Sequence, residues 1–169
     1  MGQRPVLERL VEHGLVIADP ANTGFLYRLN RDHVLAPAVL TAVAARADVL
    51  DRLTAACRAL TPGPVHASVF GSFARREGGP ASDIDLMLIV TDGVDPHGDQ
   101  WEDQTRRLAG DVMAWTGNRL QALTFTETRV AQLVGAGEPL VDTWSADAVT
   151  LVGPPPGALT ARLGDGAET

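Results

Sequence analysis

Cysteine is almost missing from this 169-residue chain: Cys57 stands alone, so no internal disulfide forms, and the sequence suits a reducing cytosol. Set in a helical-looking segment, it reads as a small buried apolar residue. No run approaches the ~18–20 apolar residues of a membrane span, and the N-terminus lacks a charged-then-apolar leader. These absences point to a cytoplasmic protein with no membrane partner. Positive charge is in deficit: 14 basic against 21 acidic residues give −7, which argues against general nucleic-acid affinity but allows a local basic face. No internal repeat is present. Apolar residues make up 45% of the chain, enough for one good core or two small ones.

What is present centres on residues 69–90. An apolar run over residues 65–70 reads as a strand that enters a Gly71-Ser72 step, and residues 72–77 read as the first turns of a helix. Glycine lets a phosphate approach the backbone, the helix N-terminus offers free amides, and Ser72 adds a hydroxyl. Gly78-Gly79-Pro80 then turns the chain back into a second apolar strand that opens with Asp83 and Asp85. Residues two apart on a strand share a face, so both carboxylates project together while Ile84 points away. Two carboxylates about 6–7 Å apart repel by roughly 2–3 kcal/mol at an effective dielectric near 20. A divalent cation is the usual compensation for oxygen-only ligands. Phosphate seat and paired carboxylates together are the minimum apparatus of phosphoryl or nucleotidyl transfer.

Gly71-Ser72, ten intervening residues and Asp83-Ile84-Asp85-Leu86 resemble the signature of polymerase-beta-type nucleotidyltransferases. Gly-Ser-Phe-Ala-Arg followed by Ser-Asp-Ile-Asp-Leu is most similar to the minimal nucleotidyltransferases of bacteria and archaea. The resemblance implies a small α/β (α+β) domain, a mixed sheet flanked by helices, that uses magnesium and a nucleoside triphosphate such as ATP. It implies that Asp83 and Asp85 hold the metal, that Gly71 and Ser72 seat the distal phosphates, and that Arg75 or Arg76 reaches a phosphate. Ser82 is grouped with the nucleotide-binding residues and caps or orients the start of the strand. Because minimal members are similar to antitoxins that adenylylate a HEPN-type toxin, a protein acceptor of that kind is implied too. A later strand of the family supplies a third carboxylate; here Arg119–Phe125 offers Gln121. Glutamine can hold a water or a phosphate oxygen, but it adds no charge and cannot act as a base. Glu127 substitutes only if the register is shifted.

Upstream, Val6, Leu7, Leu10 and Val11 mark one face of a helix over residues 3–13, stopped at Gly14. Strands at Leu15–Ile17 and Phe25–Leu29 flank a turn over residues 19–24. Helix plus hairpin resembles the recognition helix and wing of a winged helix-turn-helix. Two earlier helices of that module are missing, so a truncated N-terminus is expected, and with only Arg4 and Arg9 nearby the helix makes a poor phosphate-binding face. Residues 32–61 read as a linking helix capped by Asp32, with Val39, Val43, Val49, Leu50, Leu53 and Leu60 facing the catalytic sheet. Thr61-Pro62-Gly63-Pro64 marks the boundary to a catalytic domain over residues 62–153.

After the second strand, Asp92, Asp95 and Asp99 read as a solvated loop rather than a calcium loop, and His97 is a weak candidate neighbour of bound nucleotide. Helices are expected over 100–116, with Trp101, Leu108, Val112 and Trp115 inward, over 127–135 capped by Thr126, and from Pro139 to Trp144. Ala148–Gly153 reads as a terminal edge strand, and Pro154-Pro155-Pro156 ends regular structure ahead of a disordered tail over 154–169. Two functions are carried forward. One is a magnesium-dependent nucleotidyltransferase acting on a hydroxyl acceptor. The alternative is a DNA-binding transcription regulator whose weakened nucleotidyltransferase domain senses nucleotide.

Overall fold

Glycine at position 14 ends α1 (Gln3–Glu12) with a φ of 73°, and the chain then forms a hairpin from β1 (Val16–Ala21) and β2 (Gly24–Leu29). The computed structural model describes residues 3–77, 79 and 82–165, so Gly78 and Pro80 of the expected turn lie outside the described residues. The hairpin is tighter than residues 19–24 suggested: Asp19 and Pro20 pair with Leu26 and Phe25, leaving Asn22-Thr23 as the loop. Proline is tolerated there because each strand of a two-stranded ribbon is an edge.

Helix α2 (Ala36–Ala59) starts three residues later than an Asp32 cap requires. Residues 30–35 instead fold on themselves, with the Ala36 amide donating to the His33 carbonyl at 2.8 Å and the Leu35 amide to His33 Nδ1 at 3.1 Å. Two compact units divide inside α2, residues 1–48 and 49–169. The division precedes the expected boundary at 61–64 because Leu53, Cys57 and Leu60 already belong to the core of the second unit. Val43, expected to face the sheet, is exposed.

The second unit is a mixed four-stranded sheet in the order β5-β4-β3-β6, built from β3 (His66–Phe70), β4 (Ile84–Val90), β5 (Leu120–Thr126) and β6 (Val149–Val152). Strand β3 runs antiparallel to β4 and β6, whereas β4 and β5 are parallel. Central strands are buried on both faces, which explains their unbroken apolar sequences. On one face Val69, Leu86 and Leu88 pack with Leu53 of α2 and with Trp101, Leu108 and Val112 of α4 (Asp99–Thr116). On the other, Met87 and Ile89 meet Val130 of α5 (Glu127–Gly135), Trp144 of α6 (Pro139–Asp147) and Leu159 of α7 (Pro156–Asp165). Each such side chain contributes about 1.5–3 kcal/mol by leaving water. Cys57 sits in the first core with its thiol pKa pushed up to about 12 by burial, which leaves it an inert apolar filler.

Helix α7 replaces the tail expected from residue 154 as far as Asp165, and residues 166–169 of that tail lie outside the described residues. Pro156 occupies its first position, where a missing N–H costs nothing, and Leu159 is fully buried.

A buried polar network ties β3 to α6. His66 Nδ1 lies 2.8 Å from the Pro154 carbonyl, which can only accept, so the proton sits on Nδ1. Nε2 therefore accepts from the Ser68 hydroxyl at 2.8 Å, and Trp144 Nε1 donates to the same oxygen at 2.7 Å. Burial lowers the His66 pKa from 6.5 against the raising effect of the Pro154 carbonyl. The unfolded chain thus binds more protons near that pH, and stability is lost as pH falls through 6.5. Ser68→Ala leaves two ring nitrogens unpartnered, and urea unfolding at neutral pH should show a loss of about 1–3 kcal/mol. A loss below a few tenths of a kcal/mol would remove the network's role.

Candidate active site

Strand β3 ends at Phe70, and α3 (Gly71–Arg75) begins at the next residue. The turn between them needs φ = +70° at Gly71, a conformation open to glycine. Cross-strand pairing sets Phe70 opposite Asp85, so the carboxylate of Asp85 rests against the Gly71 backbone. A Cβ built on Gly71 would fall 2.5 Å from Asp85 Oδ2. The Gly-Ser step and the second aspartate, 14 residues apart in sequence, are therefore in contact. Phe70, the residue before α3, makes no side-chain capping bond to it.

Asp83 is exposed and Asp85 half-buried. The Asp85 pKa is raised, first by burial and then by the charge of Asp83, while Arg75 pulls it down. Both carboxylates and the guanidinium thus share one electrostatic neighbourhood. This donor set fits a divalent cation: oxygen ligands and a charge the fold leaves partly uncompensated. Among the described residues no group of three or more His, Cys, Asp or Glu converges to hold a metal. A cation here would complete its shell with water and phosphate oxygens, as magnesium commonly does.

Arg75, at the end of α3, already has partners. Its Nε donates to Glu77 at 2.7 Å and its Nη1 to Asp147, which is largely buried at the end of α6. Both bonds raise its pKa, Glu77 the more. These two carboxylates escaped the sequence reading. Asp147 is 72 residues from Arg75, and only the pairing of β6 beside β3 brings it near. Arg76 takes the left-handed conformation that caps α3, with φ = 64°.

Ser82 accepts a hydrogen bond from the Gly79 amide at 2.8 Å, and its carbonyl accepts from Asn118 Nδ2 at 2.7 Å. Its hydroxyl thus braces the turn before Asp83. Asn118, which no motif flagged, pins that turn to the end of α4.

Gln121 pairs directly with Asp85 across the parallel strands β4 and β5, so the two side chains leave the same face. The register is not shifted. Glu127 lies beyond Thr126, which pairs with Val90 at the opposite end of the sheet, about 16 Å along the strands from Gln121. There it forms an ion pair with Arg162 at 2.8 Å and cannot stand in for the third carboxylate. His97 lines a hollow with Leu120, Ala122 and Thr124. It lines a second hollow with Leu123 and Phe125, so it sits along the edge strand β5 rather than on one face of the sheet. The loop aspartates are used within the chain: Asp92 accepts from the Thr128 amide and hydroxyl at 3.0 and 2.8 Å, and Asp95 accepts from the His97 amide.

Residues 50–122 match the family model of the nucleotidyltransferase domain. No curated protein matches the chain. Among solved structures it is similar to the crystal structure of a toxin-antitoxin with AMP-PNP, at 15% identity and a TM-score of 0.48 over 70% of this chain and 86% of that one. It is similar also to a mutant of the toxin-antitoxin MntA-HpeT, at 13% identity and a TM-score of 0.47 over the same shares.

Proposed function

We propose that this chain, a nucleotidyltransferase by the domain at residues 50–122, moves a nucleoside monophosphate from ATP or another triphosphate to a hydroxyl acceptor. The single observation that carries this reading is the contact between Gly71 and Asp85, which joins a phosphate seat to a paired-carboxylate site. Asp83 and Asp85 would hold magnesium, and the bound ion would neutralise triphosphate charge and polarise the reacting phosphoryl group. Gly71 and Ser72 seat the distal phosphates through backbone amides and the hydroxyl. Arg75 offers its guanidinium to a phosphate oxygen in exchange for a carboxylate partner. The acceptor oxygen attacks the α-phosphorus, the bond to the bridging oxygen breaks, and pyrophosphate leaves. We propose a hydroxyl of a partner protein as acceptor, a HEPN-type toxin being the kind implied by the likeness of residues 71–75 and 82–86 to minimal nucleotidyltransferases.

The test uses ATP labelled at either the α- or the γ-phosphate. Acid-stable label on a protein or RNA acceptor from the α-position, with γ-label released as pyrophosphate, is the expected result. Transfer of the γ-label, or of neither, would overturn the reading.

The alternative, a DNA-binding regulator with a weakened nucleotide-sensing domain, draws on Gln121 standing beside Asp85. Against it, residues 1–48 balance five arginines with five carboxylates, a poor basis for phosphate contacts. Gln121→Asp adds the missing charge and should lower the metal concentration for half-maximal transfer about tenfold, a gain of roughly 1.4 kcal/mol. An unchanged requirement would show that position 121 does not face the ion.

A further inference from the structure

Two carboxylates hold Arg75, and the fold supports them unequally. Glu77 lies just past the end of α3 with 64% of its side chain exposed, and it accepts from Arg75 Nε at 2.7 Å. Asp147 accepts from Nη1 and closes α6, with only 17% of its side chain exposed. Its helix is anchored in the interior: Trp144, three residues earlier and so on the same side of α6, is buried and donates to the Ser68 hydroxyl. Trp144 also packs in one cluster with Phe70, the residue that pairs with Asp85. Helix α6 therefore delivers Asp147 to the face and the end of the sheet that carry the carboxylate pair. The charge of Arg75 is felt there, since it draws the Asp85 pKa down.

A triphosphate that meets Arg75 must compete with one of these partners, and the shape of the guanidinium sets the terms. Its planar fork offers a side edge, Nε with Nη2, and an end edge, Nη1 with Nη2. Phosphate bound bidentately on the side edge displaces Glu77; on the end edge it displaces Asp147. An exposed pair is screened by water and holds weakly, so Glu77 gives way readily. Asp147, robbed of its partner in a largely desolvated position, would be left an uncompensated charge. We propose that phosphate takes the Nε edge in place of Glu77, while Asp147 stays on Nη1 as the positioning residue that keeps the guanidinium at the site. Glu77 is thus the resting occupant of a phosphate position. The proposal rests on the reading of this site as a seat for a triphosphate.

Calorimetric titration with a non-hydrolysable ATP analogue and magnesium tests it. Glu77→Gln removes the competitor and should tighten binding about threefold. Asp147→Asn lets the guanidinium drift and should weaken binding about tenfold, the worth of one charge-assisted hydrogen bond. The opposed signs are the discriminating result, because loss of a nearby negative charge would by itself tighten the binding of a triphosphate in both variants. In an Arg75→Gln background both effects should vanish, since both act through one side chain. Tightening by both variants, or a Glu77→Gln effect that survives without Arg75, would overturn the proposal. Glu77 is on the surface, so that second arm decides even if Asp147→Asn disturbs α6. An unchanged protein that transfers α-label while its variants behave in this contrary way would sink the proposal alone; one that neither binds the analogue nor transfers label would sink the nucleotidyl-transfer reading and this proposal with it.

Discussion

Asp85→Asn lowers nucleotidyl transfer about a thousandfold, equivalent to roughly 4 kcal/mol of transition-state stabilisation, while the melting temperature holds or rises. The two halves of this result have one origin. Asparagine keeps the size and an acceptor oxygen of the side chain but not the charge that a divalent ion needs. In the resting fold that same charge is a burden, because desolvation and Asp83 both raise the Asp85 pKa, the mark of a carboxylate whose ionised form the structure disfavours. Removing it relieves repulsion. A residue with a purely structural role would lose stability along with activity, so the opposed directions distinguish a functional carboxylate from a packed one. Transfer assays with magnesium, alongside thermal unfolding in the absence of metal, read both.

Gly71→Ala should reduce transfer about a hundredfold and lower the melting temperature by about 2–8 °C. Its stability cost comes from φ = +70°, where a Cβ is disfavoured by about 1–2 kcal/mol. Its activity cost comes from the new methyl group, placed 2.5 Å from Asp85 Oδ2. The carboxylate is the mobile end of its side chain and can swing aside, so the fold survives and the metal ligand is displaced. Activity therefore falls far more than stability. Asp85→Asn combined with Gly71→Ala should be scarcely less active than Asp85→Asn alone, since both act through one carboxylate. Additive losses would show that Gly71 acts elsewhere.

How far the sequence could be read depended on whether the controlling physics was local. The apposition of Gly71 and Asp85 was legible because strands adjacent in sequence pair readily, and the pairing of Phe70 with Asp85 follows from the short connection between them. The inward stripe Trp101, Leu108 and Val112 was legible from helical period alone. Arg75 was legible as a cation beside the site, but its ties to Glu77 and Asp147 depend on a distant strand. Pro154-Pro155-Pro156 was misread because proline ends one element and begins the next with equal ease, and only the burial of Leu159 separates a tail from α7. Val43 was misread because an apolar residue on an alanine-rich helix says that something covers it, not what.

The central claim is that Asp83 and Asp85 together grip one divalent ion beside the Gly71-Ser72 step. Electron paramagnetic resonance of manganese, titrated into the chain with a non-hydrolysable triphosphate, measures this directly. The account predicts one tightly bound ion per chain, lost in the Asp83→Asn and Asp85→Asn double variant. Equal manganese binding by that variant and the unchanged protein would contradict it.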